Sequence, residues 1–208
     1  MTIKKILSSI FRAFYFNKIP QSAVSKDALF VHIPKAAGSS ISLELYNFQI
    51  GHRKAKDYLM WSPFKFSKIK KFAIVRDPVD RFVSAYNYLQ NGGMDENDMK
   101  LKEKYLKDNQ DINEYIGVLT KDFVHSGKIQ HFLPQKEYLY LKDTCIVDFV
   151  YKLESLDVMK VNQDLKLNLE FKNYNQTKNS SKTILTDESI NRLKSIYRDD
   201  MYLFGYNI

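Results

Sequence analysis

Ala28-Leu29-Phe30-Val31-His32-Ile33-Pro34-Lys35-Ala36-Ala37-Gly38-Ser39-Ser40 is the stretch on which the reading of this chain turns. Residues 28–33 make a short run of buried-strand length. Pro34 and Lys35 break it, and small and hydroxyl residues then open a helix. A strand that runs through a tight turn into a helix start makes an anion cradle. The first N–H groups of a helix have no intrahelical partner, and they favour phosphate or sulfate. Gly38 lets the backbone approach a ligand closely. Ser39 and Ser40 offer hydroxyls, and Lys35 adds a point charge. The loop is not a Walker A loop, in which the lysine follows the second glycine. The segment implies a phosphorylated small molecule; an ordinary strand–turn–helix with a surface lysine is the competing reading.

A second strand-like run, Lys71-Phe72-Ala73-Ile74-Val75, leads into Arg76-Asp77-Pro78-Val79-Asp80-Arg81-Phe82-Val83-Ser84-Ala85-Tyr86. Asp77 suits an N-cap and Pro78 the first helical position. Val79, Phe82, Val83 and Tyr86 then form an apolar stripe. Asp80 and Ser84 lie one turn apart on another face, in line with Arg76. A guanidinium and a hydroxyl at such a junction suit a second phosphate; the alternative for Arg76 is a salt bridge to Asp80. Two cradles at two strand ends point to one ligand phosphorylated at both ends.

These paired segments resemble the Golgi-type carbohydrate sulfotransferases (sulfotransferase family 2) and their bacterial relatives. Gly51-His52-Arg53-Lys54-Ala55, His131-Phe132-Leu133-Pro134-Gln135, Val147-Asp148-Phe149-Val150 with Glu154, and residues 197–206 are also similar to that family. The resemblance covers nearly everything from Ala28 onward. It implies an α/β, three-layer, P-loop-like domain over residues 28–208, with a short parallel sheet flanked by helices. It also implies sulfuryl transfer from 3′-phosphoadenosine 5′-phosphosulfate (PAPS) to a carbohydrate hydroxyl, of a polysaccharide or glycolipid. By that resemblance Lys35, Ala36, Ala37, Gly38, Ser39 and Ser40 hold the 5′-phosphosulfate, and Arg76 and Ser84 the 3′-phosphate. Ala36 and Ser39 stand where the family often has threonine.

The chemistry requires alignment of the acceptor, removal of its hydroxyl proton and stabilisation of the leaving oxygen. Lys35 suits the last role. It requires no metal, and no carboxylate–histidine cluster in the sequence suggests one. For the base, the family resemblance favours His52 first and His131 second. His32 reads as loop-supporting and His125 as solvated. Glu44 and Glu154 are further candidates, with Glu44 reading as water-facing. A nucleotide-dependent phosphotransferase and a non-catalytic glycan- or membrane-binding protein on the same scaffold are the rival readings.

The 208 residues carry a net charge of +8. No zinc-finger or RNA-recognition signature accompanies that charge, so it points to anionic small molecules and glycans rather than nucleic acid. Cys145 is the single cysteine, which excludes an intramolecular disulfide and a cysteine-rich zinc site. No run approaches the roughly 20 apolar residues of a membrane span, so a cytoplasmic setting is expected. Within residues 1–20, Ile3, Ile6, Leu7, Ile10, Phe11 and Phe14 recur at helical spacing among Lys4, Lys5 and Arg12. Two readings stay open there. Residues 3–16 lie on the inner face of a membrane as an amphipathic helix, or they pack on the domain or on a second subunit of a homo-oligomer. Residues 94–126 read as a peripheral helical insertion and a candidate acceptor-binding region. A strand is expected over 146–151, a helix over 154–167, a loop over 172–183 that could close over the nucleotide, and a final helix capped by Thr186.

Overall fold

A computed structural model describes residues 19–170 and 184–207. The expected helix within residues 1–20, apart from its last two residues, and the whole loop at 172–183 lie outside these. The first half contains α1 (Gln21–Ser25), β1 (Ala28–Phe30), α2 (Gly38–Tyr46), α3 (Ala55–Trp61), α4 (Pro63–Lys68), β2 (Lys70–Val75) and α5 (Pro78–Gln90). Then come α6 (Glu96–Tyr105), α7 (Ile112–Val118), α8 (Lys121–His125), α9 (Lys136–Leu139), β3 (Tyr140–Leu141), β4 (Thr144–Cys145) and β5 (Phe149–Lys152). The chain closes with α10 (Val158–Leu165), α11 (Asp187–Ile196) and α12 (Arg198–Leu203).

The fold is α/β, with a short parallel sheet of order β1-β2-β5 flanked by helices. β2 is central and buried at five of its six residues, as a strand covered on both faces must be. Phe72 stands in register with Phe30 on one side and Phe149 on the other. The free edge of β1 is covered by α2: the Tyr46 hydroxyl accepts from the Phe30 N–H at 2.9 Å and donates to the Ala28 carbonyl at 2.8 Å. That pairing satisfies backbone groups which would otherwise be buried and unmatched.

The third strand starts later than expected. Asp148 uses its side chain on the Lys71 N–H at 2.7 Å and its own N–H on the Lys71 carbonyl at 2.9 Å. Regular pairing therefore begins at Phe149, and Thr144–Cys145 turns back on Tyr140–Leu141 as a small hairpin. The expected helix over 154–167 is likewise divided. A 3₁₀ turn covers Leu153–Ser155, and Asp157 caps a new helix by accepting from the Met159 and Lys160 N–H groups.

Residues 94–126 are helical, but they are not peripheral to packing. Ile112, Tyr115, Ile116 and Leu119 recur at i, i+3, i+4, i+7 and meet Phe82, Tyr86 and Leu89 of α5 in a second core, which also takes in Phe132, Leu193 and Tyr197. The charged run at residues 95–104, ahead of this stripe, hides it from a composition-based reading.

One buried cation joins that core to the loop at 130–135. Arg81 is 0 % exposed, and its guanidinium donates to the carbonyls of His131 at 3.0 Å and Leu133 at 2.8 Å. Tyr138 donates to the Gln130 carbonyl and Tyr197 to that of Phe132. Four successive carbonyls are thus held by side chains rather than by a ladder. Replacing Arg81 by methionine keeps most of the volume but strands two buried carbonyls, each worth about 1–3 kcal/mol. Urea unfolding of Arg81→Met should show a loss of roughly 3 kcal/mol; an unchanged midpoint would mean that water replaces the guanidinium.

Candidate active site

The turn after β1 takes an unusual conformation for its sequence. Lys35 and Ala37 both adopt left-handed backbone, φ 65° and 59°, though neither is glycine. Such residues cost about 1–2 kcal/mol each and persist where the surroundings over-determine them. Ala36, between them, is fully buried in the main core and anchors the turn. Alternation of this kind turns successive N–H groups toward one side, forming an anion-binding concavity. Ala37 is also the N-cap of α2, and no side chain caps that helix end.

Gly38 has a steric reason that its φ does not supply. A Cβ built there would lie 1.8 Å from Cδ2 of His32. The imidazole of His32 therefore occupies the place of a side chain at position 38, so the helix start rests directly on the ring. His32 is buried, stacks on Phe30 with centroids 5.6 Å apart, and leaves Nδ1 without a partner among the described residues.

The second cradle is assembled by α5. Asp77 caps it, accepting from the Val79 N–H at 2.8 Å and the Asp80 N–H at 3.1 Å. Gln135 clamps the junction before it: its side-chain oxygen accepts from the Arg76 N–H at 2.9 Å, and its amide nitrogen donates to the Arg76 carbonyl at 2.8 Å. Gln135 is held in turn by the buried carboxylate of Asp200, which accepts from the N–H groups of Gln135 and Lys136. The alternative of an Arg76–Asp80 salt bridge is not realised, since Arg76 makes no ion pair among the described residues. Asp80 has its carboxyl pushed up by burial, with the Arg76 charge opposing the shift.

Both cradles open into one cavity of about 440 Å³, lined by Lys35, Ala37, Gly38, Ser39, Ser40, Arg76 and Ser84. Ala36 does not line it; its side chain is spent on the core, so the threonine-for-alanine difference noted in the sequence falls on a packing position. The α5 face extends one turn further than expected, because Tyr88 also lines the cavity. The Lys35 ammonium sits over the Tyr88 ring, 4.1 Å from its centroid. Burial lowers the Lys35 pKa, and Arg76 lowers it further, while Asp98 opposes both.

His52 and His131 reach the same cavity. The His52 ring lies 4.2 Å from that of His32 and 5.9 Å from that of His131. Its Nδ1 stands 3.3 Å from the His32 carbonyl. A carbonyl can only accept, so this contact fixes the proton on Nδ1 and leaves Nε2 as the basic nitrogen. Burial lowers the pKa of His52, against the hydrogen bond to His32. His131 is brought to about 4 by burial, with Asp98 as the opposing charge. His125 and Glu44 lie outside the cavity lining. Glu154 lines it, but its oxygens accept from the Asp77 N–H at 2.6 Å and the Tyr206 hydroxyl at 2.9 Å, so its task is to hold the strand–helix junction. No group of three or more metal-ligating side chains suited to an ion occurs among the described residues.

The model of the sulfotransferase family matches residues 24–207, from just before β1 to just past Tyr206, whose hydroxyl bonds Glu154. The chain belongs to the sulfotransferase family. Neither a curated protein nor a solved structure matched it. The enzyme is thus a sulfotransferase, and sulfuryl transfer is its chemistry. No helix among the described residues is long and apolar enough to cross a membrane.

Two residues went unnoticed in the sequence: Tyr88, which lines the cavity, and Asp98, which lies beside His131 without lining it. Tyr88 could have been found, since it continues the four-residue spacing Arg76, Asp80, Ser84. Asp98, which touches Tyr88 and His131, carries no local signal.

Two outcomes follow from this packing. Gly38→Ala should lower the melting temperature and abolish anion binding. His32→Ala combined with Gly38→Ala should recover part of the lost stability, because it removes the ring that the new methyl strikes; a double variant no better than the single would place the strain elsewhere. His32 is held to about 3 and His131 to about 4, against 6.5 for an ordinary histidine. Below pH 6.5 the unfolded chain takes up protons that the native state refuses. Stability should therefore fall as pH drops from about 6.5 toward 4, by about 1.4 kcal/mol per unit for each such group. Urea midpoints measured across that range should fall less steeply for His131→Gln.

Proposed function

We propose that this sulfotransferase moves the sulfuryl group of PAPS to a hydroxyl of a carbohydrate, such as a surface polysaccharide or a glycolipid. The observation that carries the donor assignment is that two separate anion cradles line one cavity: Lys35 with the amides and hydroxyls of residues 37–40, and Arg76 with Ser84. A ligand with phosphates at both ends matches this arrangement, and a single phosphate leaves one cradle idle. The carbohydrate acceptor rests on the family resemblance.

In this reading the bridging S–O bond breaks as the acceptor oxygen bonds to sulfur, and 3′-phosphoadenosine 5′-phosphate leaves with the electron pair. Lys35 sits where that oxygen gains charge, and its attraction is larger in the transition state than before it. The acceptor O–H proton passes to a histidine. His52 is the first candidate: its Nδ1–H is committed to the His32 carbonyl, its Nε2 is unprotonated, and burial keeps it neutral near pH 7. His131 is the second.

Calorimetric titration with 3′-phosphoadenosine 5′-phosphate, 5′-AMP and ATP in the presence of chelator tests the donor. The bisphosphate should bind far more tightly than 5′-AMP. Arg76→Ala should weaken the bisphosphate about 10- to 100-fold, the worth of a charged hydrogen bond, and leave 5′-AMP nearly unchanged. Lys35→Ala should remove transfer, and His52→Ala should remove transfer with nucleotide binding intact. ATP preferred only with magnesium would sink the PAPS reading, and full activity in His52→Ala would pass the base to His131.

A further inference from the structure

The reading of the cavity as a sulfuryl-transfer centre leaves one buried carboxylate without a role. Asp98 lies in the first turn of α6, within residues 94–126, and is 7 % exposed. The chain around it is built to bring it inward. Asp95 caps α6 by accepting from the N–H groups of Asn97 and Asp98. Gly93 is left-handed at φ 69°, and a Cβ there would lie 2.1 Å from the Cβ of Asp98. Oδ2 of Asp98 accepts from the Met94 N–H at 3.1 Å and from the Tyr88 hydroxyl. Oδ1 is left over, and it stands 3.9 Å from Nδ1 of His131. That nitrogen is buried and has no hydrogen-bond partner among the described residues. The separation is ion-pair range, one small movement from a hydrogen bond, and such contacts tighten when substrate binds.

We propose that Asp98 is a positioning residue of the transfer reaction: it holds His131 with the proton on Nδ1, leaves Nε2 as the basic nitrogen, and offsets the charge the histidine pair gains as the acceptor hydroxyl gives up its proton. The inference rests on the sulfuryl-transfer reading of the cavity. In the step concerned, the acceptor O–H bond breaks and an N–H bond forms at Nε2 of a histidine, while the acceptor oxygen bonds to sulfur.

The groups facing His131 come from every neighbouring element. Tyr88 and Arg81 stand on α5, Lys35 on the loop after β1, His52 on the loop before α3, and Asp98 on α6. Lys35, Arg81 and His52 all disfavour a positive charge on His131, as burial does, and Asp98 favours it. Asp98 also supports positive charge on His52 and Lys35. One carboxylate therefore balances three basic groups, and Tyr88 holds both the carboxylate and the lysine. The segment that supplies it is thereby part of the reaction centre as well as part of the second core.

Nitrogen-15 NMR of the full chain at pH 7.5 reads the histidine tautomers directly, with His131→Gln and His52→Gln as assignment variants. Wild-type His131 should be the Nδ1–H tautomer, and Asp98→Ala should convert it to the Nε2–H form preferred by free histidine. Asp98→Asn, which keeps the shape and loses the charge, should cut the kcat for sulfuryl release from labelled PAPS by roughly 10²-fold. Its affinity for 3′-phosphoadenosine 5′-phosphate should stay within about twofold of wild type, which a merely structural defect would not allow. Tyr88→Phe, which removes one donor to the carboxylate, should move kcat the same way by less. An unchanged tautomer in Asp98→Ala, or wild-type kcat in Asp98→Asn, overturns the proposal. If the wild type binds no bisphosphate, the PAPS reading fails instead, and the tautomer still decides whether Asp98 orients His131.

Discussion

The guanidinium of Arg81 is the contact on which the rest of the site depends. It is fully buried, and it ties the helix carrying the second anion cradle to the irregular loop carrying His131 and Gln135. That loop has no ladder to satisfy its carbonyls, so side chains must do so. Arg81, Tyr138 and Tyr197 supply the donors, and Asp200 receives the amides that follow. An arginine suits the task because its planar fork reaches two acceptors at once and keeps its charge when desolvated. With the loop held, Gln135 can clamp Arg76 by both backbone groups. The position of the second cradle therefore follows from an interaction on the other side of α5.

The first cradle depends on a second close fit. His32 fills the space beside Gly38, and His52 lies against it with the two rings tilted and is hydrogen-bonded to its carbonyl. The start of α2 and the ring of His52 thus meet through one neutral ring. Keeping His32 neutral matters here: a charged ring would be opposed by its burial and by the neighbouring His52 and His131. The strained turn at Lys35 and Ala37 belongs to the same arrangement, because buried Ala36 fixes its middle.

Much of this architecture was legible in the chain. Two short apolar runs, each leading into a helix start, identified the parallel strands, and the Asp77-Pro78 pair marked the start of α5. The cradle residues Lys35, Gly38, Ser39, Ser40, Arg76 and Ser84 were readable from local spacing and a family likeness. The short helices at 55–68 and the hairpin at 140–145 were not. They are too brief for periodicity to register, and their formation depends on packing against the main core. The second core was hidden because a run of lysines and acids stands ahead of its apolar stripe. Glu154 looked like a candidate base until both its oxygens were found occupied at the junction before α5.

The sequence by itself determined the candidate anion sites that local backbone geometry builds: two strand ends, two helix starts, and the lysine and arginine beside them. Those depend on residues within a turn or two of one another, so spacing carries the information. Only the tertiary structure decided which distant groups line the cavity or support the residues that do. Tyr88 under Lys35, Asp98 beside His131, and the Gln135–Asp200 clamp all join residues distant in the chain. Their meeting is set by how α5 and its neighbours pack, and no local pattern encodes it.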